Sequence, residues 1–263
     1  MQLIRIMALK MQATLKQYHH GSGQRAIKRG TILASARHNS KSAYLVPPNI
    51  KIIEHTANQK NYLNSLNTKD VVICHGPAGT GKTMIACEYC LDKLSDSWND
   101  VKKIVITRPA ISVDEDHGYL PGDINQKMLP WMMPIYDNLT LFTGKRNLDR
   151  YLKTGEIEIV PLSFIRGRTF DNTLIIADEM QNATKNQMKT LLTRVGTDCQ
   201  VIITGDLDQS DLGDCSENGL HDFIRRHSKC SIEDKDDIVV IQLDNSDVLR
   251  SNIVKLVLEI YSS

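Results

Sequence analysis

No stretch of the chain approaches the roughly 20 uninterrupted apolar residues needed to span a bilayer. The C-terminal run from Ile253 to Ile260 is broken by Lys255 and Glu259. A secretory signal is also lacking, and Cys74, Cys87, Cys90, Cys199, Cys215 and Cys230 are scattered, so they read as reduced thiols rather than a disulfide framework. Cys87 and Cys90 form a CxxC, yet no second Cys or His pair is spaced to complete four zinc ligands, and His19-His20 lacks a third ligand. There is no internal repeat at solenoid spacing. The expectation is a soluble, cytoplasmic protein without membrane contact.

Acid is missing altogether from residues 1–48, which hold Arg5, Lys10, Lys16, Arg25, Lys28, Arg29, Arg37 and Lys41. The rest of the chain then carries 24 of the 32 basic residues against all 31 acids, 24 − 31 = −7. A basic arm on an acidic body suits a nucleic-acid partner. A flexible solubilising tail, a start codon placed too early and a mitochondrial transit peptide share the same composition.

Pro47-Pro48 closes the arm, and a body of residues 49–263 follows, with 41% apolar residues over the whole chain, enough to bury a sizeable core. Short runs rich in Ile and Val at Val71–Cys74, Lys103–Thr107, Thr173–Ala177, Gln200–Thr204 and Ile238–Leu243 read as five buried parallel strands. Ile157–Pro161 reads as a weaker strand at an edge. Helical spacing is expected over Thr83–Leu94, Asn125–Phe142, Lys185–Val195, Glu217–His227 and Asp247–Tyr261, the last capped by Asp247. The pattern is that of an α/β fold, a mainly parallel sheet with helices on both faces.

Gly76-Pro77-Ala78-Gly79-Thr80-Gly81-Lys82-Thr83 matches GxxxxGK[ST], set between a strand and a helix as that motif requires. Its glycines let backbone N–H groups point inward at phosphates, helped by the positive end of the following helix. Lys82 is expected to neutralise the β- and γ-phosphates of ATP, and the Thr83 hydroxyl to reach Mg²⁺.

A hydrolase also needs an acid at the end of a buried strand. Thr173-Leu-Ile-Ile-Ala177 delivers Asp178 and Glu179, the first suited to the Mg²⁺ shell and the second to activating water. The competing reading is a capping pair for the next helix. Val201-Ile-Ile-Thr204-Gly-Asp-Leu-Asp-Gln209 ends another strand, and Gln209 either senses the γ-phosphate or sits solvated in an Asp/Gly turn. Trp131 with Met128, Met132 and Met133 reads as core packing. Arg108, Arg166 and Arg168 either contact nucleic-acid phosphates or cap element ends.

Asp178-Glu-Met-Gln181-Asn and Thr204-Gly-Asp-Leu-Asp-Gln209 resemble the DExQ and GDxxQ motifs of superfamily 1 helicases. More specifically, Asn58-Gln59, the glycine loop, Thr107-Arg-Pro-Ala110, Tyr119-Leu-Pro-Gly-Asp123, Arg166-Gly-Arg-Thr169 and Leu192-Thr-Arg-Val-Gly196 resemble the PhoH family of P-loop ATPases, from about residue 49 to the C-terminus. The resemblance implies a RecA-like core, ATP binding, a link to RNA metabolism or unwinding in some members, and ring-shaped oligomers in some, a homohexamer being favoured here. Carried over by position, Gln59 is expected to read adenine, Gln181 to lie at the nucleotide, and Arg250 of Asp247-Val-Leu-Arg250 to act as an arginine finger. Departures are Met180 within the DExQ segment, Asp116 where a lysine is usual, and Asp211-Leu-Gly213 in place of Asp-Leu-Pro.

The functional expectation is Mg²⁺-dependent ATP hydrolysis coupled to single-stranded nucleic acid, RNA favoured over DNA. Its alternatives are a nucleotide-gated binding module with little turnover and a small-molecule P-loop kinase. The body leaves no residues for a second RecA-like lobe, so the finger is expected from another copy of the chain.

Overall fold

The computed structural model describes residues 55–96, 100–109, 124–212, 217–232, 236–248 and 260, with only the backbone of 124–131. The arm expected over 1–48, the final helix with Arg250, and the side chains of Met128 and Trp131 lie outside the described residues.

The chain runs α1 (Ala57–Leu66), β1 (Val71–His75), α2 (Lys82–Ser95), β2 (Lys103–Arg108), α3 (Ile124–Thr143), α4 (Lys145–Thr154), β3 (Ile157–Pro161), β4 (Thr173–Ala177), α5 (Lys185–Leu192), β5 (Gln200–Gly205), α6 (Gly219–Lys229) and β6 (Ile238–Gln242). The six strands form one sheet in the order β3-β2-β4-β5-β1-β6, with every pairing parallel. Parallel strands need helical crossovers that cover both faces, which is why they read as unbroken apolar runs. Successive side chains then serve opposite cores. Val72, Cys74, Ile104, Ile106, Ile176 and Ile202 pack with α1, α2, α3 and α4. Val71, Ile73, Val105, Ile175, Val201 and Ile203 pack with residues of α5 and α6.

The edge position of Ile157–Pro161 agrees with the sequence reading, and β6 ends one residue earlier than expected. Helices α1 and α4 are additions to that reading. Thr56 begins α1 with a capping box, its hydroxyl accepting from the Gln59 backbone while the Gln59 side chain accepts from the Thr56 N–H. Helix α5 stops at Leu192 rather than Val195, because Arg194 and Gly196 turn to bond the backbone of Phe170. Asn218 caps α6, so that helix starts at Gly219. Asp247 does not stand as the expected cap of a helix. It closes a 3-10 turn, Asn245–Asp247, and its buried carboxylate turns back to accept from the Thr56 hydroxyl, the Asn58 side chain and the Asp244 N–H.

β4, β5 and β1 are neighbours, so the segments leaving their C-terminal ends meet: Asp178-Glu179, Asp206 to Gln209, and the glycine loop.

Candidate nucleotide site

Three backbone positions shape the loop, with Gly76, Gly79 and Gly81 at φ of 146°, 85° and 86°. At Gly76 the need is also spatial, since a Cβ there would lie 2.1 Å from the Leu243 carbonyl oxygen. The Gly76 N–H donates to the Gly205 carbonyl at 3.2 Å, fastening the loop to the end of β5. Lys82 curls inside the loop, Nζ donating to the carbonyls of Gly76 at 2.6 Å and Pro77 at 2.8 Å. Burial pulls its ammonium below the ordinary lysine range, and Asp206 leads the carboxylates that oppose the shift. These carbonyls hold the ammonium where anionic oxygens would be stronger acceptors.

An open cleft of about 230 Å³ lies above the loop, lined by Lys82, Thr83, Asp178, Glu179, Asp206 and Gln209 among others. Ligand pockets run to about 300–1,000 Å³, so this one has room for a phosphate chain rather than a whole nucleotide. Thr83 Oγ donates to Asp178 Oδ1 at 2.7 Å, and the Thr204 hydroxyl donates to the same oxygen. A hydroxyl and a carboxylate side by side are the hard oxygen donors that suit Mg²⁺. Among the described residues no group of three or more His, Cys, Asp or Glu could hold a metal, so the pair fits an ion held mainly by phosphate and water.

The two carboxylates differ in setting. Asp178 is buried, its side chain 2% exposed, whereas that of Glu179 is 45% exposed. Glu179 adopts φ 56°, a left-handed conformation uncommon outside glycine, which turns the chain sharply off β4. The pair does not cap the next helix, since Thr184 does so with its own capping box.

Gln181 is buried, and its amide links the two motifs instead of facing the cleft. Nε2 donates to Glu179 Oε2 at 2.6 Å and to the Gln209 carbonyl at 3.3 Å, while Oε1 accepts from the Asp206 N–H at 3.0 Å. The Gln209 side chain lines the cleft and is exposed, in a turn closed by its N–H to the Asp206 carbonyl. Gln59 is fully buried behind the loop. Its Nε2 donates to the carbonyls of Thr80 at 3.0 Å and Asp247 at 3.2 Å, and Oε1 is paired with the Thr56 N–H and His55 Nδ1. With two donors and two acceptor sites all engaged, this amide offers adenine no free edge in the described arrangement.

Arg108 lies at the site, which motif spacing did not reveal. Its guanidinium grips Asp178 through Nε at 2.9 Å and through Nη2, and Nη2 lies 3.8 Å from Glu179 Oε1. Arg168, by contrast, makes a two-pronged pair with Glu158 at 2.8 Å and covers the Phe170 ring. Its guanidinium and Lys103 hold the Glu158 carboxyl down to about 2. Arg166 stays exposed.

Strand order, loop and carboxylate placement together define the class: a RecA-like P-loop NTPase. The large terminase of a thermophilic bacteriophage shares this fold at a TM-score of 0.50 and 12% identity, over 79% of the present chain and 50% of the terminase chain. A family model described as PhoH-like protein matches residues 51–262, and the chain belongs to the PhoH family. It is 40% identical to a PhoH-like protein of Bacillus subtilis over 78% of this chain and 62% of that protein. It is 37% identical to Protein PhoH of Escherichia coli over 80% and 58%. The chain thus spans about 60% of the length of these curated relatives. Among the described residues no helix is long and apolar enough to cross a membrane.

Proposed function

We propose that the protein hydrolyses ATP with Mg²⁺ and couples that reaction to single-stranded nucleic acid, RNA ahead of DNA. The observation that carries the reading is Glu179, an exposed carboxylate braced by Gln181 at 2.6 Å, on the rim of the cleft that Lys82 and Thr83 floor. Mg²⁺, when bound, would offset phosphate charge beside Thr83 and Asp178. Lys82 exchanges its loop carbonyls for β- and γ-phosphate oxygens. Glu179 orients a water and accepts its proton, while the Gln209 amide reaches the γ-phosphate or the same water without changing charge. A carboxylate braced from behind by Gln181, with the Gln209 amide beside it in the cleft, suits activation of water better than transfer to a substrate hydroxyl, which favours hydrolysis over the kinase reading.

The nucleic-acid half of the reading rests on the eight positive charges of residues 1–48 set against a body of net −7. A ring of identical subunits, a hexamer favoured, with Arg250 reaching a neighbour's ATP, completes the proposal on resemblance alone. Mixing Arg250→Ala and Lys82→Ala subunits tests it, because a mixed ring contains interfaces with both residues intact. Mixed oligomers without recovered turnover would rule out donation in trans.

Steady-state ATPase assays with and without RNA and DNA oligomers, run beside equilibrium nucleotide binding, test the catalytic core. Lys82→Ala is expected to lose both binding and turnover, and Glu179→Gln to bind normally but turn over slowly. A Glu179→Gln protein with unimpaired kcat would remove that residue from the reaction, and a wild-type chain that binds ATP without turnover would make it a nucleotide-gated module.

A further inference from the structure

Phe164 is 51% exposed, an unusual state for an aromatic side chain in a protein whose other described Phe residues are buried or half-buried. It stands on the 3-10 turn Leu162–Ile165, which leaves the C-terminal end of β3 and packs against α5. This is the sheet edge that also carries Glu179, two strands away, or roughly 10 Å at ordinary strand spacing.

The charge around Phe164 departs from that of the body. Residues 159–170 and 180–197 contain no Asp or Glu, although residues 49–263 together are acidic. The same two segments hold Arg166, Arg168, Lys185, Lys189 and Arg194. Arg168 is committed to Glu158, and Lys185 lies 3.7 Å from Glu217. Arg166 and Lys189 are exposed, and neither makes an ion pair among the described residues. Gly167, beside Arg166, has open space where a Cβ would stand.

We propose that Phe164, Arg166 and Lys189 form a contact surface for single-stranded nucleic acid, the ring stacking on a base and the two cations meeting backbone phosphates. An exposed aromatic side chain with unpaired cations two residues on and on the helix its turn packs against matches what an unpaired strand offers, a base plane and a phosphate at each nucleotide. A folded acidic protein would satisfy the cations but gives the ring no comparable plane. The surface is wired to the reaction: α5, which carries Lys189, begins three residues after the Met180–Asn182 turn that follows Glu179, and its cap residue Thr184 is bridged to Asn218. A strand seated here therefore loads the segment that aims the water-activating carboxylate.

This surface rests on the reading of the protein as a nucleic-acid-coupled ATPase. The test uses the full chain, a fluorescent 20-nucleotide oligouridylate and its DNA counterpart, and anisotropy titrations over a range of salt. Phe164→Ala is expected to weaken binding about 5- to 150-fold, the range for losing one base-aromatic stack. It should leave the salt slope unchanged, because no charge is lost, and Phe164→Trp should restore affinity. Arg166→Ala and Lys189→Ala should each make the log–log salt slope shallower by about 0.7, the value for one phosphate contact on a single strand. Nucleotide affinity, measured on every variant, should match wild type and shows that the fold survives. Wild-type binding left intact by all three alanine variants would overturn this surface while sparing the broader reading. A wild-type chain that binds neither oligomer would remove the nucleic-acid reading and this surface with it.

Discussion

Replacing Arg108 with alanine removes the guanidinium that holds Asp178, a carboxylate whose side chain is only 2% exposed against 12% for the arginine. Breaking one partner out of a buried pair costs about 3–5 kcal/mol, because the remaining charge is stranded in a poor solvent. Asp178 would still accept from Thr83 and Thr204, so the lower end, about 3 kcal/mol, is the expected loss. For a domain of this size 1 kcal/mol moves Tm by roughly 2–4 °C, which predicts a drop of about 6–12 °C in nucleotide-free protein. Arg108→Ala combined with Asp178→Asn should be more stable than the sum of the single changes, since a neutral amide needs no counter-charge. Thermal melts followed by circular dichroism on the four proteins of that cycle are sufficient. An Arg108→Ala protein melting within about 2 °C of wild type, or a double variant showing strict additivity, would refute the assignment of Arg108 as the structural counter-ion of Asp178.

Gln181→Ala should reduce kcat while leaving nucleotide affinity near wild type, because it frees Glu179 without touching the loop; stability should fall by about 1–3 kcal/mol from the orphaned Asp206 N–H, as read by urea denaturation. Burial raises the Glu88 carboxyl well above its usual range, and neither of its oxygens has a hydrogen-bond partner. Its folded pKa being raised, its proton stabilises the fold fully below the unfolded value, near 4.5, and that contribution is lost as pH rises toward the folded value. Glu88→Gln should therefore gain stability over wild type between about pH 5 and 8 and not at about pH 4, and a constant difference in Tm across that range would contradict it. Gly76→Ala should abolish nucleotide binding and destabilise the fold, since the new methyl meets the Leu243 carbonyl at an unfavourable φ; normal binding by equilibrium dialysis would contradict the close approach.

The strands and the phosphate loop are legible in the sequence because their signals are local. A buried parallel strand shows as an unbroken Ile/Val run, and the loop as fixed glycine spacing before Lys82-Thr83. Helices α1 and α4 are harder to see because each buries a narrow stripe in a polar segment. In α4 only Leu148 and Tyr151 are buried, although the Thr56-x-x-Gln59 capping box does mark the start of α1. The partner of Arg108 is a property of strand pairing. Thr107 is in register with Ala177, so Arg108 and Asp178 leave neighbouring strands side by side, and aligning the ends of the two apolar runs would have suggested it. The motif singles out Gln181 as a nucleotide contact, whereas its bonds to Glu179 and the Asp206 N–H depend on where β5 ends, and spacing alone says nothing about that.

The Thr56 to Asp247 bond has a mechanical meaning. It pins the residue that starts α1 to the 3-10 turn after β6, and the next bond inward is Gln59 to the Thr80 carbonyl of the phosphate loop. Tension drawn between Thr56 and Asp247 loads that clasp first, and the second link to be strained belongs to the glycine loop. Filling the site should therefore stiffen the clasp. In an optical trap, a chain pulled from its two ends should yield at a higher force with nucleotide bound, and Gln59→Ala should erase the difference.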